Sequence, residues 1–218
     1  MILKGKQLKK SYGDLNVLKG IDIEIEKGEI VSIVGASGAG KSTLLHILGT
    51  LDNADEGELF IKEQNVISLN SNQVARFRNL NIGFVFQFHN LLPEFTALEN
   101  VCIPGYIGKR NTKEVEEKSL QLLELLGIAD RKNNKPSELS GGEQQRAAVA
   151  RALINNPEIV FADEPSGNLD SKNANELHEL FFKLRKELNQ TFVIVTHNEH
   201  LAQMADRILE IKDGMIVK

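Results

Sequence analysis

Residues 30–48 read IVSIVGASGAGKSTLLHIL, and no other stretch narrows the choice of fold so far. The β-branched run reads as a buried strand, the glycines as a bend, and the residues from Lys41 to about Leu48 carry a helical period. The bend is Gly35-Ala36-Ser37-Gly38-Ala39-Gly40-Lys41-Ser42, the pattern G-x-x-x-x-G-K-[ST] in the strand-to-helix setting that gives it meaning. Its glycines let backbone N–H groups curl around an anion. The helix start adds roughly half a unit of positive charge. Lys41 supplies a mobile full charge, Ser42 offers a hydroxyl to Mg²⁺, and Thr43 lies within reach of phosphate. The expected ligand is a phosphate chain.

The remaining pattern suits that start. Ile21, Ile23 and Ile25 alternate onto one face before a turn at Lys27-Gly28. GELFIKEQNVI reads as a strand pair and IGFVF, Ile82 to Phe86, as a buried strand. From about Phe88 to Asn156 the period is helical, and strands return with EIVFAD, TFVIVT and RILEIKDGMIVK. The last carries an Asp213-Gly214 hairpin signal, and a leucine-rich helix over about Ala174 to Leu188 separates two of the others. Strands alternating with helices predict an α/β core with a mostly parallel sheet, interrupted by an all-helical insertion. No internal repeat is visible.

Bulk properties exclude several classes. Hydrophobic residues make up 41% of the 218, enough for a core, and a formal net charge of -4 lacks the basic footprint of a general nucleic-acid binder. A lone cysteine, Cys102, forms no internal disulfide and fits a reducing compartment. No apolar run approaches the roughly 18 residues of a membrane span, and MILKGKQLKKSYG lacks the apolar region of a signal peptide. The expectation is a soluble, cytoplasmic protein.

Further residues offer chemistry. An apolar strand ends in Asp163-Glu164. Beside a phosphate loop, such an aspartate holds Mg²⁺ through water and the next carboxylate can polarise an attacking water. Alone, Asp163 could equally cap the turn before Pro165. His197 ends TFVIVT and could donate to a terminal phosphate, or simply close a strand. Gln87, after IGFVF, could lend a neutral oxygen to the metal, or face solvent. LSGGEQQRAAVARALINN opens a well-patterned helix with Ser140-Gly141-Gly142, although a glycine in a helix interior costs roughly 1 kcal/mol relative to alanine.

In this order the motifs resemble the ATP-binding subunit of ATP-binding cassette (ABC) transporters over essentially the whole chain. The resemblance implies a P-loop NTPase core with an antiparallel β subdomain, over about 1–87 and 157–218, and a helical lobe over about 88–156. It makes Gly35 to Thr43 the Walker A loop, Gln87 the Q-loop glutamine, Leu139 to Glu143 the signature, and Ile159 to Asp163 the Walker B strand. Glu164 becomes the catalytic glutamate, Ser166 to Asp170 the D-loop, His197 the switch histidine, and Tyr12 an adenine-stacking aromatic. ATP and Mg²⁺ are the implied ligands, with Ser42, Gln87 and Asp163 towards the metal. Ser140, Gly141 and Gly142 would close over the nucleotide of a second copy in a head-to-tail dimer. Glu143, where the family usually has glutamine, adds negative charge near that phosphate site, and Ser166 stands for the usual threonine.

The same resemblance implies integral membrane permease subunits as partners, a place on the cytoplasmic face of the inner membrane, and no direct contact with cargo or nucleic acid. QFHNLLPEFTALENVCIP, with Phe88, Leu91, Leu92 and Phe95, would lie beside the groove that receives a permease helix. Within the family the chain looks most like the ATPases of bacterial lipoprotein-release systems, with macrolide exporters and the cell-division type as alternatives. A P-loop kinase or GTPase would need an acceptor lid or an Asn-Lys-x-Asp motif, and neither is present. Ribosomal cassettes come in tandem and DNA-acting ones are split by a coiled coil, which 218 residues do not accommodate.

Overall fold

Two long strands, β1 (Leu3–Tyr12) and β2 (Leu15–Ile25), open the computed structural model, which describes residues 1–217. β3 (Ile30–Val34) and α1 (Lys41–Leu48) flank the glycine loop, followed by β4 (Glu56–Ile61), β5 (Gln64–Asn65), α2 (Ser71–Asn81) and β6 (Ile82–Phe86). Next come α3 (Ala97–Ile107), α4 (Thr112–Leu125) and α5 (Gly141–Leu153). The chain then runs through β7 (Ile159–Asp163), α6 (Ser171–Leu188), β8 (Thr191–Val195), α7 (Glu199–Met204), β9 (Arg207–Lys212) and β10 (Met215–Ile216).

The central sheet has the order β10-β9-β3-β8-β7-β6. It is parallel throughout except for β10, which returns through the expected Asp213-Gly214 turn to pair antiparallel with β9. A second, antiparallel sheet has the order β2-β1-β4-β5. In the parallel strands, successive side chains point to opposite faces, and both faces are covered. Val160, Ala162, Phe192 and Ile194 belong to one apolar cluster with α3, α4, α5 and α6. Ile159, Phe161, Val193 and Val195 belong to another, with α1 and the antiparallel sheet, including Ile21, Ile23 and Ile25. The helices between β6 and β7 therefore share their core with one face of the sheet.

Local sequence explains most element ends. α6 buries Leu177, Leu180, Phe181 and Leu184, a single stripe at helical spacing. It begins three residues before the expected Ala174, because Asp170 caps it by accepting from Asn173 N–H at 3.0 Å. α3 starts only at Ala97, under a reciprocal cap between Thr96 and Glu99. The segment before it is irregular, with His89 and Asn90 in the left-handed region at φ 59° and 50°. α2 is a helix that apolar periodicity does not announce, since it buries only Phe77. Its signal is the cap formed by Asn70 and Gln73.

β6 lies so close to α5 that a Cβ on Gly83 would sit 2.5 Å from the Ala152 carbonyl oxygen. Backbone, unlike a flexible side-chain end, cannot step aside. Gly83→Ala should lower the unfolding free energy by about 1–3 kcal/mol, the usual cost of overpacking, read from urea denaturation as a lower midpoint with unchanged slope.

Candidate active site

Strand register gathers the site. Phe86 pairs with Asp163, Asp163 with Val195, and Ile33 with Val195. The residues that follow these strands therefore leave the sheet along one edge: Gln87 after β6, Glu164 after β7, His197 after β8 and the glycine loop after β3. Carboxyl ends of parallel strands are where such folds bind ligands.

At the loop, Gly40 stands at φ 102° as the residue before α1, and α1 has no side-chain cap. Its first N–H groups are thus left for a ligand. A side chain at Gly40 is doubly barred, since its Cβ would lie 2.9 Å from Leu18 and 3.2 Å from the Val17 carbonyl oxygen. Lys41 is buried and folds back, its Nζ donating to Gly35 O at 3.0 Å and Ala36 O at 2.9 Å. Its charge is thereby held within the bend, on acceptors that an incoming phosphate can replace.

Ser42 Oγ donates to Asp163 Oδ1 at 3.2 Å, joining α1 to the end of β7. His46 Nε2, one turn along, stands 3.9 Å from Asp163 Oδ2. Among the described residues no group of three or more His, Cys, Asp or Glu could hold a metal by itself. A hydroxyl beside a carboxylate fits a hard cation that completes its shell with phosphate oxygens and water.

Glu164 is held under strain, with φ 46° in a region that non-glycine residues seldom adopt. Its N–H donates to Val195 O at 2.9 Å, and its Oε2 accepts from His197 N–H at 3.1 Å. Oε1 is buried with no hydrogen-bond partner, while His197 Nε2 stands 3.4 Å away. Burial pushes the Glu164 carboxyl above its ordinary pKa; the His197 backbone and ring oppose this, and Asp163 adds to it. A carboxylate with one unpaired oxygen and a raised pKa is suited to taking a proton from water.

Gln87 is turned towards the segment after β7. Its Nε2 donates to Asn168 Oδ1 at 3.0 Å, and Asn168 Nδ2 donates back to Gln87 O at 3.2 Å. Tyr12 is half exposed at the end of β1; its hydroxyl donates to Asp52 Oδ2 at 2.6 Å, and Lys10 Nζ sits 5.2 Å from the ring centroid. His178, in α6, is fully buried, with Nε2 3.0 Å from Ser166 Oγ. Burial, and then His200, lower its pKa to about 4. A neutral imidazole thus supports the Ser166 hydroxyl. The contacts of Asn168, His46 and His178 bridge distant segments; Asn168 lies within the stretch Ser166 to Asp170, but its bond to Gln87 is not readable from that motif.

Ser140 caps α5 and is exposed. Glu143 folds back onto Ser140 and pairs with Arg131 at 2.8 Å. The two glycines behind Ser140 differ. A Cβ on Gly142 would meet Asn173 Oδ1 at 2.6 Å, so packing against α6 accounts for its bareness. On Gly141 it would meet only Leu169 Cδ2, at an ordinary 3.5 Å. Nothing inside the chain requires Gly141 to be glycine. α5 is fastened to β6 and to the segment after it: in its first half Gln145 Nε2 donates to Phe86 O at 3.4 Å, and near its far end the Arg151 guanidinium donates to the carbonyls of His89 and Asn90.

A phosphate loop, an acidic strand end and a strained glutamate on one sheet edge, with a separate glycine cap facing outward, define a P-loop ATPase of the cassette type. The family model described as ABC transporter matches residues 18–167, and the chain belongs to that family. It is similar to the lipoprotein-releasing system ATP-binding protein LolD of Cytophaga hutchinsonii, 62% identical over 99% of each chain. The protein of the same name from Bacteroides thetaiotaomicron is 58% identical over 100% of each. Among solved structures, the ATP-binding cassette MJ0796, a dimer in a post-hydrolysis state bound to ADP and Pi, matches with a TM-score of 0.91 at 41% identity, covering 100% of this chain and 97% of that one. As a member of this family the chain is an ATP-binding and ATP-hydrolysing subunit, and cassettes of this kind dimerise. No helix among the described residues is long and apolar enough to cross a membrane.

The raised pKa of Glu164 has a consequence for stability. The folded chain holds this proton more tightly than the unfolded one, so the associated stability is present at low pH and is lost as pH rises through the raised value. Above that raised value the ionised, half-paired carboxylate is a burden. Glu164→Gln should therefore raise the thermal midpoint of the nucleotide-free chain at neutral pH, with the gain shrinking on acidification, as read by calorimetry.

Proposed function

We propose that two copies of this chain enclose two ATP molecules head to tail and use their hydrolysis to drive a membrane permease that releases lipoproteins from the inner membrane. Gly35 to Thr43 hold the phosphates, the backbone N–H groups of the loop and Lys41 supplying the positive field, and Tyr12 stacks on the adenine. Ser42, Gln87 and, through water, Asp163 would hold Mg²⁺, which would supply positive charge to the phosphate chain. Glu164 accepts the proton of the attacking water. His197, tied to Glu164 through its backbone N–H, donates to the γ-phosphate. From the second copy, Ser140 and the N–H groups of Gly141 and Gly142 close the far side.

The observation that carries the two-copy site is Gly141. An alanine there would favour the helix by up to roughly 1 kcal/mol and would meet no obstacle within the chain. A bare backbone at an exposed cap is explained by something outside the chain approaching it. Loss of the γ-phosphate removes contacts made by both copies, and the balance shifts towards the open form.

Permease docking is supported by a groove of about 490 Å³ lined by residues including Arg78, Phe84, Phe86, Asn90, Ile107 and Arg151. Leu80, Phe88, Leu92, Phe95 and Ile107 are large apolar residues left exposed on the elements around it. It is suited to an amphipathic helix, and binding there would hold the chain peripherally at the cytoplasmic face, away from the cargo. Lipoprotein release itself is supported by the names of relatives that match across nearly the whole chain.

Glu164→Gln with ATP should run as a dimer in light scattering, having lost hydrolysis but kept the enclosed nucleotide; a monomer would refute the two-copy site. Adding Gly141→Ala should abolish that dimer while leaving the thermal midpoint of the free chain equal or higher. For the permease, purification from the native membrane should recover membrane subunits with a large periplasmic portion. Ile107→Asp should lose them and keep the ATPase rate of the isolated chain, whereas recovery of an importer permease would overturn the lipoprotein assignment.

A further inference from the structure

The cap of α5 is already engaged by its own chain. Ser140 Oγ carries one proton and donates it to Glu143 Oε2 at 2.8 Å; Ser140 N–H donates to the same oxygen at 2.8 Å, and Glu143 N–H returns to Oγ at 3.3 Å. Glu143 Oε1 takes Arg131 Nε at 2.8 Å, while Asp130 lies 3.6 Å from the same nitrogen. Both carboxylate oxygens are therefore committed. The Ser140 backbone N–H, then Arg131, hold this carboxyl below its ordinary pKa, so it is an anion at neutral pH.

A phosphate approaching Ser140 meets two obstacles. It competes with Glu143 for the single hydroxyl proton, and it brings negative charge to a carboxylate held against that cap. We propose that Glu143 is a positioning residue that sets how readily the two copies close: it keeps the Ser140 hydroxyl until a γ-phosphate outcompetes it, and Arg131 moderates its repulsion of that phosphate. This rests on the reading that Ser140 meets the nucleotide of the second copy. After cleavage Glu143 reclaims the hydroxyl, so the same bond that delays closure favours separation.

A conservative variant isolates the effect. The reciprocal cap accepts Glu or Gln at this position, so Glu143→Gln keeps the helix start and removes the charge. It also replaces an ionised acceptor with a neutral one about half as strong. In the full chain carrying Glu164→Gln, the ATP concentration giving half-maximal dimer is measured by light scattering at low and high salt. Glu143→Gln should lower it roughly three- to tenfold at low salt, with the gap narrowing as salt screens the charge. Arg131→Gln should raise it by a similar factor. The thermal midpoint of the nucleotide-free chain should fall slightly in Glu143→Gln, because the bonds that Ser140 and Arg131 make to the ionised carboxylate are weakened, so tighter closure in this variant is no gain in fold stability. A half-point that is unchanged or higher in Glu143→Gln, or a shift indifferent to salt, overturns the role of Glu143 while the two-copy site stands. A Glu164→Gln parent that stays monomeric overturns both.

Discussion

Parallel pairing among β3, β6, β7 and β8 is the constraint on which the site depends. The ladder aligns Phe86, Asp163 and Val195 across three strands, and Ile33 joins the same row. A slip of one residue in any strand would turn its buried side chains to the wrong face, where the opposite apolar cluster could not accept them. Packing on both faces therefore fixes the register, and the register fixes where the four loops emerge. Positioning of the ATPase residues is a by-product of burying Phe161, Phe192 and their neighbours, and the edge of the sheet need supply none of that stability itself.

Strain collects at this edge. Glu164 combines a left-handed backbone, a buried unpaired oxygen and a proton affinity above the ordinary carboxylate range. Its two neighbours in space hold it there: Val195 by a backbone bond and His197 by its N–H. The energetic cost is offset by the layers beneath, and on the proposed reading it prepares a base before substrate arrives.

Contiguous signals were legible in the sequence, and contacts between remote segments were not. Gly35 to Thr43, Asp163-Glu164 and Ser140 to Gly142 each lie on adjacent residues, and the strands around them alternate or run apolar as burial on two faces demands. The helix α2 escaped because one buried side chain, Phe77, leaves no period to detect. The bond of Asn168 escaped because its partner Gln87 is far away in the chain and meets it only after β6 and β7 pair. Gly141 and Gly142 read alike as letters, yet Asn173 explains one and nothing within the chain explains the other. As a letter, Glu143 is only a charge added near an anion site; that it is also the cap partner of Ser140 and the ion-pair partner of Arg131 appears only in the fold.

α5 spans 13 residues, about 20 Å at 1.5 Å per residue. One end presents Ser140, and the other grips the carbonyls of His89 and Asn90 through a largely buried Arg151. Between those ends α5 buries Gly142, Gln145 and Ala147 to Ala150, so it moves as one body with the helices packed on it. On the proposed two-copy reading, a tilt of about 5° about the gripped end would swing the serine by about 2 Å over that length, more than the tolerance of a hydrogen bond.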